Sequence, residues 1–202
     1  MVGLRLCSSA WLAASCRPAT EAAIVRHHDR RSHRDQTIST ASEFERVLIE
    51  NARYAAQFDR SSLPPLPARR IAVLTCMDAR LSVEDALGLR TGDAHIIRNA
   101  GGLATDDAIR SLVISQHLLG TEEIIVIAHT GCGMLTFQDE PVRDRIARDQ
   151  GVSVDMPLRS FPELESNLLE QVRTLRAHPW VKNVPIHAAI YEVETGRLRL
   201  CD

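Results

Sequence analysis

The sequence predicts an α/β fold: a mainly parallel four-stranded sheet with an antiparallel edge strand and helices on both faces. Three observations predict it. Apolar runs of strand length, Ile71–Thr75, Ala94–Ile97 and Ile124–Ala128, alternate with helical patterns. The third run is β-branched and nearly unbroken, as in parallel strands covered on both sides. A fourth run, Ile186–Val193, passes through Thr195-Gly196 into Arg197–Leu200, the signature of a turn that adds an antiparallel edge strand.

The elements follow in order. Ser42 with Glu45 three residues later reads as a capping box. Phe44, Val47, Leu48, Ala52, Ala55 and Phe58 then mark one face of a helix ending near Phe58. Leu63-Pro64-Pro65-Leu66-Pro67 cannot continue a helix and reads as an extended connector to the first strand. Ser82 with Asp85 opens a short helix reaching Leu87. Thr105 is the expected N-cap of Asp106–Leu119, with acids in the first turn and Gly120 beyond the end. Its expected buried face is Ile109, Leu112, Val113 and Leu119. Pro141 falls in the first turn of a polar helix closed by Gly151, and Pro162 in that of a longer one striped by Leu164, Leu168, Val172 and Leu175.

The chain has 202 residues, 45% hydrophobic and 25% charged, which suits one globular domain and argues against disorder. No apolar run reaches the ~18 residues a membrane-spanning helix requires, so no membrane role is expected. A net charge of −2 gives no electrostatic footprint for nucleic acid. Charge is uneven: residues 1–35 carry six Arg against Glu21, Asp29 and Asp35. Residues 1–39 read as a disordered or targeting-like tail, and 40–202 as the domain. Arg5 interrupts what would have to be a signal peptide's apolar region. His27, His28 and His33 in that tail read as solvated polar chain. Cys7, Cys16, Cys76, Cys132 and Cys201 are too few and too scattered for a disulfide framework. They suit a reducing compartment, and the expectation is cytoplasmic.

Chemistry gathers where strands end. Cys76-Met77-Asp78-Ala79-Arg80 follows the first strand, Arg98-Asn99-Ala100-Gly101-Gly102 the second, and His129-Thr130-Gly131-Cys132-Gly133 the third. Ligands bind beyond the carboxyl ends of strands in such sheets. If strands one and three are neighbours, their ends lie ~5 Å apart. Cys76, His129 and Cys132 can then share one ion. Two thiolates and an imidazole favour Zn²⁺, and three protein ligands leave a position open, as catalytic zinc requires. Asp78 has two options beside such an ion: to become a fourth ligand that closes the site, or to pair with the Arg80 fork. His95 and His117 read as structural or surface histidines, and no side chain stands out as a proton shuttle.

The motifs C-x-D-x-R (Cys76, Asp78, Arg80), R-N-A-G (Arg98–Gly101) and H-x-x-C-G (His129–Gly133) resemble the β-class carbonic anhydrases. The small bacterial branch is the most similar, through T-D-D-x-I-R-S-L (Thr105–Leu112) and H-T-x-C-G-M-L-T-F (His129–Phe137). The resemblance runs from about Thr40 to the C-terminus. It implies zinc-dependent reversible hydration of carbon dioxide to bicarbonate and a proton. Cys76, His129 and Cys132 would be metal ligands, Asp78 and Arg80 the catalytic dyad, and Gly101 and Gly102 part of the substrate pocket. It also implies an N-terminal helix packed on a partner, in a homodimer or dimer of dimers. Two departures bear on substrate handling: Ala79 stands where many relatives have Ser, and Arg90 aligns with a Gln that contacts substrate in plant-type relatives. Two thiolates cancel the ion's charge, so activity is expected to rise toward alkaline pH. The alternative within the same zinc chemistry is hydrolysis of carbonyl sulfide or carbon disulfide. A non-enzymatic zinc module fits poorly with an intact Asp78 and Arg80. A phosphate-binding protein lacks G-x-G-x-x-G and G-K-[ST].

Overall fold

The computed structural model describes residues 42–201. The tail reading, the His27, His28 and His33 cluster, Cys7 and Cys16 lie outside the described residues. Two compact units divide between Asp59 and Arg60.

The first unit carries helix α1, Glu43–Ala55. Its capping box is present: the Ser42 hydroxyl accepts from the Glu45 N–H, and the Glu45 carboxylate accepts from the Ser42 N–H at 2.7 Å. The helix stops before Phe58 because the next two N–H groups, of Gln57 and Phe58, reach back only three residues, to Tyr54 and Ala55. Such i−3 bonds tighten a last turn instead of extending it. The apolar stripe is as expected, but α1 buries none of its residues.

The second unit is built on β1 Ile71–Cys76, β2 Ala94–Asn99, β3 Glu123–His129, β4 Ile186–Tyr191 and β5 Leu198–Cys201. The strand order is β2-β1-β3-β4-β5. The first three pairings are parallel, and β5 runs antiparallel to β4 at the edge. β4 stops at Tyr191, two residues short of the expected Val193. The Val193 N–H goes to the Thr130 hydroxyl, and a turn closed from Gly196 N–H to the Glu192 carbonyl starts β5.

All six residues of β1 are buried, which makes it the centre of the core. Period-two alternation sends Ala72 and Leu74, with Ile124, Val126 and Ala128, to one face. Helices α3, Asp106–Leu118, and α5, Leu164–Ala177, cover that face with Ile109, Leu112, Leu168, Val172 and Leu175. Each fully buried Leu contributes about 1.5–3 kcal/mol. Val73 and Ile127 point to the other face, against Val83 of the short helix α2, Val83–Leu87, and Leu81, Leu103, Met134 and Phe161. The polar helix α4, Asp139–Gln150, buries none of its residues.

Three local expectations change. On α3 the buried face includes Ser115 and Gln116, while Val113 and Leu119 are only partly covered. These polar groups are satisfied. Ser115 meets Thr121 and His95, and Gln116 accepts from the Lys182 N–H at 2.9 Å. Ser82 precedes α2 without capping its backbone, because its hydroxyl bonds the Asp85 carboxylate. Pro162 lies before the Glu163 N-cap of α5 and not in its first turn. Among the described residues no helix is long and apolar enough to cross a membrane.

Candidate metal centre

Parallel pairing of β1 with β3 brings their carboxyl ends side by side, since Thr75 lies opposite Ile127 in the register. Cys76 is the last residue of β1 and His129 the last of β3. The Thr130-Gly131 turn then returns the chain so that Cys132 meets both. The three ligand atoms, two sulfurs and one ring nitrogen, all lie within 4.8 Å of one another. All three residues are buried, and both cysteines are free thiols.

The donor chemistry fits a cation. His129 Nδ1 lies 2.9 Å from the Thr130 carbonyl, which can only accept, so Nδ1 carries the proton. Nε2 is therefore the ring nitrogen left to face the two sulfurs, and it is buried without a hydrogen-bond partner. Buried polar atoms are normally paired, so an orphan aimed at two sulfurs points to a ligand. The hydrogen bond from Cys132 holds the Cys76 thiol down to about 4, against the opposing effect of burial. The same bond, together with burial, pushes the Cys132 thiol up. Burial resists a proton on His129, but the nearby Cys76 sulfur raises its affinity on balance.

Asp78 is fixed by Arg80. The guanidinium donates from Nε to Oδ1 at 2.9 Å and from Nη2 to Oδ2 at 2.8 Å, and the Arg80 N–H adds a third bond to Oδ1 at 2.9 Å. These bonds hold the Asp78 carboxyl well below the usual carboxylate range and keep Arg80 charged. Of the two options open to Asp78, the Arg80-paired one is seen here, with Oδ2 still 3.8 Å from His129 Nε2. Arg80 Nη2 also donates to the Gly131 carbonyl at 2.9 Å, tying the dyad to the turn between His129 and Cys132.

Gly101 and Gly102 are both buried and have positive φ, 84° and 65°. A Cβ on Gly102 would stand 3.0 Å from the Thr75 carbonyl carbon and 3.1 Å from the Cys76 nitrogen, so this backbone rides directly on the end of β1. A Cβ on Gly101 would meet Phe161 at 3.1 Å and Met134 at 3.2 Å. The backbone N–H of Gly101 is directed at the Cys76 sulfur and favours the thiolate.

Some supports were assigned no role from the sequence, although Arg98 and Asn99 stand in its R-N-A-G motif. Arg98 donates to the carbonyls of Cys76, Asp78 and Leu81 at 2.9, 2.7 and 3.2 Å, clamping the loop that carries the dyad. An arginine ending an apolar strand was the available signal. Asn99 closes the next turn through both amide atoms to Leu103. Asp139 gathers the N–H groups of Leu158, Arg159 and Ser160, each at 2.9 Å, and the segment it fixes carries Phe161 onto Gly101. Those bonds hold the Asp139 carboxyl down to about 2. Glu194 accepts from the Thr130 hydroxyl, which lowers its carboxyl in turn. His95 and His117 are occupied elsewhere, with Ser115 and Pro65 and with the Trp180 carbonyl.

Comparison with known proteins gives consistent relatives. A family model described as carbonic anhydrase matches residues 71–153. The chain is 43% identical over 152 residues to beta-carbonic anhydrase 1 of Mycobacterium tuberculosis, covering 75% of this chain and 93% of that protein. It is 44% identical over 157 residues to a carbon disulfide hydrolase of Saccharolobus solfataricus, covering 65% of this chain and 76% of that protein. Among solved structures, a carbonic anhydrase from Streptococcus mutans superimposes with a TM-score of 0.77 at 42% identity, over 81% of this chain and 99% of that one.

Proposed function

The chain belongs to the β-class carbonic anhydrase family, and from that premise we propose that Cys76, His129 and Cys132 hold its zinc ion while Asp78 and Arg80 form its catalytic dyad. The enzyme catalyses reversible hydration of carbon dioxide to bicarbonate and a proton. One observation carries the assignment of ligands: His129 Nε2, buried and unpartnered, faces two sulfurs of which one is readily ionised.

When bound, zinc supplies a Lewis acid that makes water nucleophilic near neutral pH. The protein's own groups do the rest. Asp78 stays ionised and can only accept, so it takes a hydrogen bond from the reacting water and orients the water's lone pair toward carbon dioxide. Arg80 prevents the carboxylate from rotating, because both oxygens are held at once. The Gly101 N–H helps keep Cys76 a thiolate, the form in which sulfur binds metal.

Carbon dioxide is favoured over carbonyl sulfide and carbon disulfide by extent of likeness. The mycobacterial carbonic anhydrase is matched over 93% of its length and the carbon disulfide hydrolase over 76%. Side-by-side turnover of the three gases, with metal content measured on the same sample, tests the reading. Stoichiometric zinc with fastest turnover of carbon dioxide supports it; absence of a transition metal in active protein overturns it.

The finer readings are a homodimer or dimer of dimers, and a cytoplasmic location. Exposed Phe44, Val47 and Leu48 on α1, 69%, 60% and 48% accessible, support the first, since a subunit contact would cover them. Sedimentation of the purified protein checks it, and a monomer at micromolar concentration would refute it. Three free cysteines among the described residues support a reducing compartment. Fractionation of cells checks this, and recovery outside the cytosol would refute it.

A further inference from the structure

We infer that Glu194 is a positioning residue for the metal centre: through the Thr130 hydroxyl it fixes the turn that sets His129 against Cys132. The inference rests on the ligand assignment proposed above. Glu194 lies in the turn between β4 and β5, 64 residues beyond Thr130 in sequence. It is exposed and reaches the centre through its hydrogen bond from the Thr130 hydroxyl, while its charge also lies close enough to Arg80 to favour the guanidinium.

Thr130 is held on every polar atom. Its N–H donates to the Tyr191 carbonyl at 2.9 Å, extending the pairing of β3 with β4 by one bond. Its hydroxyl oxygen accepts from the Val193 N–H at 3.0 Å and donates to Glu194 Oε2 at 2.9 Å. Its carbonyl accepts from His129 Nδ1 at 2.9 Å. The last bond sets both tautomer and ring orientation, and partners of this kind tune a ligand's hold on its ion. On the far side of the same turn, Arg80 holds the Gly131 carbonyl at 2.9 Å. The two residues between His129 and Cys132 are thus gripped from opposite sides, by Glu194 through a side chain and by Arg80 through a carbonyl. Without Glu194, the Thr130 hydroxyl can rotate, its bond to Val193 weakens, and the carbonyl that orients His129 loses its fixed position.

The test measures zinc affinity by competition with a chromophoric chelator, and the visible spectrum of the cobalt(II)-loaded protein. The variants are Glu194→Ala, Glu194→Gln, Thr130→Val and Thr130→Ser. Supporting partners of metal ligands typically change affinity by about 10–100-fold. Glu194→Ala and Thr130→Val are expected to weaken zinc binding by roughly that factor and to shift the cobalt spectrum. Glu194→Gln retains an acceptor oxygen and Thr130→Ser retains the hydroxyl, so both are expected within about threefold of the wild type. The Glu194→Ala, Thr130→Val double variant is expected to be no worse than Thr130→Val alone, because one bond is being removed twice.

Wild-type affinity and spectrum in Glu194→Ala overturn the inference, while zinc in the wild type leaves the ligand assignment intact. Loss as large in Glu194→Gln as in Glu194→Ala overturns it too, since that would be an effect of charge. Should Glu194→Ala fail to fold, the comparison of Thr130→Val with Thr130→Ser decides. A wild type that takes up no zinc overturns both readings.

Discussion

Alanine at Gly102 is expected to damage the metal centre, and alanine at Gly88 is not, although both have nearly the same positive φ. Their φ angles are 65° and 60°. An L-residue in that region costs roughly 1–2 kcal/mol wherever it sits. At Gly88 a Cβ meets nothing within 4 Å, so that cost is the whole effect. At Gly102 the Cβ arrives 3.0–3.1 Å from three backbone atoms of Thr75 and Cys76. Backbone at the end of a fully buried strand cannot swing aside as a side chain does. Overpacking of this kind typically adds about 1–3 kcal/mol, which brings Gly102→Ala to about 2–5 kcal/mol. At about 2–4 °C per kcal/mol for a chain of this size, Tm should fall by roughly 10 °C for Gly102→Ala and by roughly 4 °C for Gly88→Ala. Urea unfolding of metal-free protein, with thermal melts alongside, reads the difference. Zinc affinity should fall only in Gly102→Ala, because the displaced atoms belong to a proposed ligand. Equal destabilisation of the two variants, within about 0.5 kcal/mol, would refute the close-approach reasoning.

Further outcomes are expected. Asp78→Asn keeps the shape but not the charge, and Arg80→Leu removes the fork; each should lower kcat/KM for carbon dioxide by about 10²-fold or more with zinc retained, as stopped-flow hydration with metal analysis would show. Zinc affinity should rise with pH, because binding must displace the protons that Cys132 and His129 hold more tightly than usual. Competition titrations across pH 6–9 that give a flat profile would contradict this. The Asp139 carboxyl is depressed from 3.8 to about 2, so its contribution to stability is present above about pH 4 and lost as pH falls through about 2. Acid stability of the wild type should therefore drop in that window, and Asp139→Asn should drop less, the remainder coming from other depressed carboxyls such as Asp78 and Glu194. Limited proteolysis between residues 152 and 161 would report the same loosening.

What could be read from the chain alone was whatever repeats locally or follows one strand. Ile71–Thr75 and Ile124–Ala128 are apolar because both faces are covered, and that composition marks them as inner strands before any pairing is known. Cys76 and His129 stand at their ends, and Cys132 is bound to His129 by a three-residue spacing, so the proposed ligand trio was visible once the strands were. The capping box of α1 and the Thr105 cap were visible for a similar reason, since the bonding groups lie three residues apart. The burial of Ser115 and Gln116 was not, because polar side chains go inside only when partners such as Thr121, His95 and Lys182 arrive from elsewhere.

Tertiary structure alone decided that β1 and β3 are neighbours, and hence that the sulfurs and the imidazole converge. It also decided which groups hold that convergence in place: Arg98 on three carbonyls, Gly102 against β1, and Glu194 on Thr130. The physical reason is range. Burial and helix capping depend on residues a few positions apart, while ring orientation and carboxylate angle depend on hydrogen bonds of about 3 Å between segments that only the completed sheet brings together.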